Sequence, residues 1–64
     1  MDPLTGVSST SVGTFRAIDT RDGEAHYRDG EPVFAVRGLD HETVEVLFGD
    51  GRWMLCALTD VEPP

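Results

Sequence analysis

The sequence predicts a small all-β domain, a five-stranded antiparallel meander. Three observations predict it. Asp-Gly pairs at 22–23, 29–30 and 50–51 separate the apolar segments, and Asp-Gly between alternating residues is the strongest short-range hairpin signal. Gly, Asp, Val and Thr dominate, and no window joins helical spacing to helix start and stop signals. Every connection is short, so successive strands should lie antiparallel.

Residues 1–12 are rich in Ser, Thr, Gly and Pro without an apolar period. They are expected to form an N-terminal arm, leaving 13–64 as the single domain. Strands are expected at about 13–19, 24–28, 32–39, 42–48 and 52–58, with TDVEP as a closing turn. The tetrapeptide RDGE occurs at 21–24 and again at 28–31. In each copy Asp and Gly would make a type I′ turn, with Arg21 facing Glu24 and Arg28 facing Glu31 across a hairpin. Seven residues is too short a spacing for a solenoid repeat. Pro32 belongs at a strand start or edge, and Gly38 is expected to mark a bend or bulge.

The last hairpin, ETVEVLFGDGRWMLCAL, is the most informative stretch. A two-residue turn at Asp50 and Gly51 pairs Phe48 with Trp53, Leu47 with Met54 and Val46 with Leu55. One face then collects Val44, Val46, Phe48, Trp53, Leu55 and Ala57, a wholly apolar set that reads as core. Shifting the register by one would set Arg52 against Phe48 and split this set. The opposite face holds Thr43, Glu45, Leu47, Met54, Cys56 and Leu58. Leu47, Met54 and Leu58 would cluster outward, as an interaction surface or under the arm or the first strand. As a partner-binding patch they would have Arg37 and Arg52 at the rim, where charge belongs.

Composition narrows the function. The net charge is −7, from 12 acids against 5 bases, all of them Arg. That balance opposes binding to phosphate backbones or anionic membranes. No apolar run is long enough for a membrane helix, and the start lacks the basic and apolar regions of a signal peptide. A soluble, cytoplasmic setting is the expectation. Cys56 is the single cysteine, so no internal disulfide can form. With His26 and His41 it does not make a zinc ligand set, so neither metal nor cofactor is expected. Cys56 between Leu55 and Ala57 reads as an inert packed thiol. Ser8, Ser9 and Ser11 have no base in view, and Gly49-Asp50-Gly51 opens no helix that could hold a phosphate. A chain this small is not expected to enclose a deep pocket, and it is read as no enzyme.

The segment TVEVLFGDGRWMLCALTDVEP resembles the second half of SH3-like small barrels of the Tudor and KOW type. Val44, Val46 and Phe48 match the V-x-V-x-F strand, Asp50 and Gly51 the turn, and Asp60, Val61 and Pro63 the closing turn. The match covers about a third of the chain. No further strand is expected after the closing turn, so the barrel is closed by an early strand or is partly open. The resemblance implies a recognition fold. Tudor-type domains bind methylated basic side chains in aromatic cages, and KOW-type domains bind RNA or ribosomal and polymerase surfaces. Tyr27, Phe34, Phe48 and Trp53 would be the cage candidates, although the register above assigns Phe48 and Trp53 to the core.

The first expectation is therefore a small acidic protein-interaction module, regulatory in role, that binds a protein partner or a second copy of itself. A second is an acidic inhibitor or nucleic-acid mimic, with Asp22, Glu24, Asp29, Glu31, Asp40, Glu42 and Asp50 occupying a basic groove. A third is a nucleic-acid-associated regulator of the KOW or Tudor kind, which the charge opposes.

Overall fold

A computed structural model of the chain describes residues 10–64. The arm expected over 1–12, with Ser8 and Ser9, lies mostly outside the described residues. The described part is all-β with little helix. Strands β1 (Gly13–Phe15), β2 (Pro32–Gly38), β3 (Thr43–Phe48), β4 (Trp53–Ala57) and β5 (Val61–Glu62) form one antiparallel sheet in the order β4-β3-β2-β1-β5. The sheet is open, with β4 and β5 at its edges. This five-stranded arrangement is compatible with an SH3-like fold. A 3₁₀ turn, Leu58–Asp60, precedes β5, so a short strand does follow the closing turn, contrary to expectation.

None of the three Asp-Gly pairs makes a type I′ turn, because no described non-glycine residue has positive φ. Asp22-Gly23 starts a helix, α1 (Gly23–Arg28), where a strand was expected over 24–28. The Asp22 carboxylate accepts the Ala25 N–H at 2.8 Å, Glu24 sits in the first turn and Arg28 in the last. An Asp N-cap with charges matched to the helix dipole outweighs the hairpin signal. Asp29-Gly30 makes a type II turn, in which the Glu31 N–H donates to the Arg28 carbonyl at 3.0 Å and Gly30 takes φ +89°. Arg28 does meet Glu31, at 3.1 Å. Arg21 makes no ion pair with Glu24; that carboxylate lies 3.7 Å from Arg28, one helical turn away.

The third pair decides the register of the last hairpin. The Phe48 carbonyl accepts from Gly51 N–H at 3.0 Å, and Phe48 N–H donates to the Arg52 carbonyl at 2.9 Å. The loop therefore has three residues, with Gly51 in the left-handed conformation at φ +87°. Phe48 thus lies opposite Arg52, the alternative set aside on sequence grounds. Val46 pairs with Met54, Val44 with Cys56, Leu47 with Trp53 and Glu45 with Leu55. A one-residue slip exchanges the faces of an entire strand. Met54 and Cys56 turn into the core, and Trp53 and Leu55 turn out.

The core consists of Phe15, Ala25, Val33, Val44, Val46, Phe48, Met54 and Cys56. Phe15 and Phe48 meet edge to face at 5.8 Å. Ala25 joins this cluster from α1. The bulge in β2 lies between Val33 and Ala35, leaving Phe34 unpaired, and not at Gly38.

Two polar devices bind the loops to this core. Arg28 lies over the Phe48 ring at 4.5 Å and donates to Glu31 and to Asp50 at 3.1 and 2.9 Å, joining α1 to the β3–β4 turn. Asp60 is fully buried. Its carboxylate accepts the backbone N–H groups of Ile18, Asp19 and Thr20 at 3.3, 2.8 and 2.7 Å, which fixes the loop after β1 onto the 3₁₀ turn. Burial would push the Asp60 carboxyl up, but hydrogen bonds from Thr20, Asp19 and Ile18 hold it below the ordinary carboxylate value.

Candidate functional site

The partner patch expected from the sequence does not form. Leu47 and Met54 point to opposite faces of the sheet and both are buried. Of the three, Leu58 alone is exposed, beyond the end of β4. Arg52 is exposed at the turn, and Arg37 lies on β2.

The register builds a different surface on the outward face. One row across β2, β3 and β4 is Arg37, Glu45 and Leu55; the next is Ala35, Leu47 and Trp53. Arg37 donates to Glu45 at 2.9 Å and stacks on the Trp53 ring at 3.8 Å. Trp53 and Leu55 are 37% and 54% exposed on a strand whose alternate residues are core. These two residues were assigned to the core from sequence. The signal that could have placed them is the GDG at 49–51, whose extra glycine permits a three-residue loop and so moves the register by one.

The four cage candidates do not share one environment. Phe48 is core at 1% exposure, while Tyr27 is 88% exposed on α1. The Phe34 ring packs toward Gly49, where an added Cβ would come within 3.2 Å of it.

The acids of the proposed mimic have local work. Asp22 caps α1, and Asp29 accepts the Ala17 N–H at 3.0 Å. Glu24, Glu31 and Asp50 all gather around Arg28. Asp40 accepts N–H bonds from Glu42 and Thr43, both at 2.8 Å, which keep its carboxyl below the ordinary range. Asp50 is held low by Arg28 and by the Arg52 N–H.

A cleft of about 290 Å³ opens between the loop after β1, the β2–β3 turn and the 3₁₀ turn. Asp19, His41, Glu42, Ala57, Leu58 and Thr59 line it. The Thr59 hydroxyl donates to the Asp19 carboxylate. His41 and Glu42 stand in solvent, 3.9 Å apart. Among the described residues no three His, Cys, Asp or Glu are grouped to hold a metal, and no helix is long and apolar enough to cross a membrane.

Cys56 is buried, and burial followed by the nearby Asp60 charge pushes its thiol up to about 11. Thiol reagents at pH 8 should label the native chain at least about 100-fold more slowly than the urea-unfolded chain, since attack requires an exposed thiolate. Equal rates, followed by absorbance of the released chromophore, would place Cys56 at the surface.

Comparison with known protein families, with curated proteins and with solved structures finds no match to this chain.

Proposed function

We propose that the chain is a non-enzymatic, acidic protein-interaction module of SH3-like kind that binds a protein partner through the outward face of its last hairpin. The observation that supports this reading is the exposed pair Trp53 and Leu55, with Arg37 stacked on the indole. Trp and Arg are the residue types most enriched among interface anchors. Holding the guanidinium over the ring, with Glu45 bonded to it, orders that surface before a partner arrives and so lowers the entropic cost of binding. The non-enzymatic reading rests on the nucleophiles and bases: Cys56 is buried with a raised pKa, and His41 stands exposed beside Glu42, with no cysteine lining its cleft. Kinship to the Tudor and KOW barrels belongs to the same proposal.

Mimicry of nucleic acid is the second reading, favoured by the charge of −7. The gathering of Glu24, Glu31 and Asp50 around Arg28 weakens it, because part of that charge is compensated internally. Salt separates the two readings. A mimic's complex should weaken steeply with salt, and a complex on Trp53 and Leu55 should weaken less.

The test is a bait comparison in extracts of the source cell. The native chain should retain a protein that Trp53→Asp and Leu55→Asp both lose, with circular dichroism showing all three baits folded. Equal recovery on the three baits would overturn the reading.

A further inference from the structure

Resting on the interaction reading above, we infer that the open edge of β4 accepts an extended segment of a partner protein as an added strand, with an Arg or Lys of that segment seated in the cleft at the strand's end.

The hydrogen-bond alternation of the hairpin carries the first half. Phe48 with Arg52 is a bonded pair, and Leu58 N–H donates to the Glu42 carbonyl at 2.8 Å. In an antiparallel ladder bonded and non-bonded pairs alternate. Trp53, Leu55 and Ala57 therefore direct their N–H and C=O groups away from β3, toward the free edge. The Ala57 N–H confirms the direction, since it donates to the Thr20 hydroxyl at 3.0 Å. Among the described residues nothing meets the corresponding groups of Trp53 and Leu55. Sheet edges are ordinarily blunted by charges, prolines or bulges. Within Trp53–Ala57 the sequence WMLCA contains no charge and no proline, and its pairing with β3 runs without a bulge. The edge is left able to pair, and the exposed Trp53 and Leu55 side chains offer contact to alternate residues of an incoming strand.

The cleft carries the second half. Thr20 closes the edge at Ala57, and its neighbour Asp19 forms one wall of the cleft, so a segment running along β4 past Leu55 arrives there. Ala57 and Leu58 offer apolar surface to an aliphatic stem, and Asp19 and Glu42 offer carboxylates to a cationic head. No arginine of the chain pairs with either carboxylate among the described residues. The chain's charge of −7 points the same way: a second copy would bring its own acids to this edge, whereas a basic segment is attracted to it.

The test uses the ¹⁵N-labelled full chain and a synthetic peptide of alternating valine and threonine ending in two arginines. At millimolar peptide, amide shifts should centre on Trp53 and Leu55. Affinity should fall at least about tenfold when the arginines become glutamates, when alternate peptide nitrogens are methylated, and in Glu42→Arg. Leu55→Pro should also abolish binding. Its N–H lies outside the β3 ladder, so the fold's own bonds survive; if that variant fails to fold, the methylated peptide asks the same question. Shifts elsewhere, no shifts, or equal binding of the arginine and glutamate peptides would overturn the inference. A dimer in which the two amides are already protected would overturn it in favour of a second copy. In each of these cases the interaction module would still stand or fall on the bait comparison.

Discussion

Met54→Asp should unfold the domain, while Trp53→Asp should leave it folded. The two residues are adjacent in sequence and differ in the face they present. Met54 is buried against Val46 on the core side. An Asp there must carry an unpaired charge into an apolar site or protonate, at a cost of more than about 4 kcal/mol. A domain of this size rarely has more than about 3–5 kcal/mol in total. Trp53 is partly exposed and stacks on Arg37. Its loss should cost about 1–2 kcal/mol, the worth of an exposed cation–π contact plus some buried ring area. Trp53 is the single tryptophan, so urea unfolding is best followed by circular dichroism. If Trp53→Asp unfolded the chain and Met54→Asp did not, the hairpin would have the two-residue turn and the other register.

Asp60→Ala removes the acceptor of three backbone N–H groups at once. Those of Ile18, Asp19 and Thr20 all end on this carboxylate. Leaving a buried donor unpaired costs about 1–3 kcal/mol, and rehydration of the loop recovers part of it. A loss of about 3 kcal/mol or more is expected, enough to leave the domain largely unfolded. Asp60→Asn keeps one oxygen and should lose less. The pH dependence has a defined sign. The folded pKa of Asp60 is depressed, so its contribution is present above the unfolded value, near 3.8, and is lost as pH falls through the lower folded value. Native stability should drop below about pH 4. In Asp60→Asn that acid limb should flatten, with the remainder due to Asp40 and Asp50, whose carboxyls are also held low. An unchanged acid limb in Asp60→Asn would show that this carboxylate does not set acid stability.

Much of the architecture was legible in the chain, and the failures share a cause. Alternation in TVEVLF and the excess of β-formers place β2, β3 and β4 within a residue or two of their expected bounds. The charge and the single cysteine likewise follow from the letters. The first RDGE was misread because Asp-Gly serves helix starts as well as turns. What separates them is whether Ala25 finds a core to enter, and that core comes from Phe15, Val33 and Phe48, which lie outside the local RDGE pattern. The last hairpin was misread because both of its faces are rich in apolar residues, so alternation alone fits two registers. Gly51 selects between them through its left-handed φ, which commits the loop to three residues.

The sequence by itself determined the fold class, the three long strands β2, β3 and β4, and the acidic charge, because these depend on residue type and local period. The tertiary structure alone decided where Asp60 finds its donors and which segments meet at the cleft beside the end of β4. Those depend on contacts between segments some forty residues apart, such as Asp60 with Asp19 and Thr20, and no local pattern carries them.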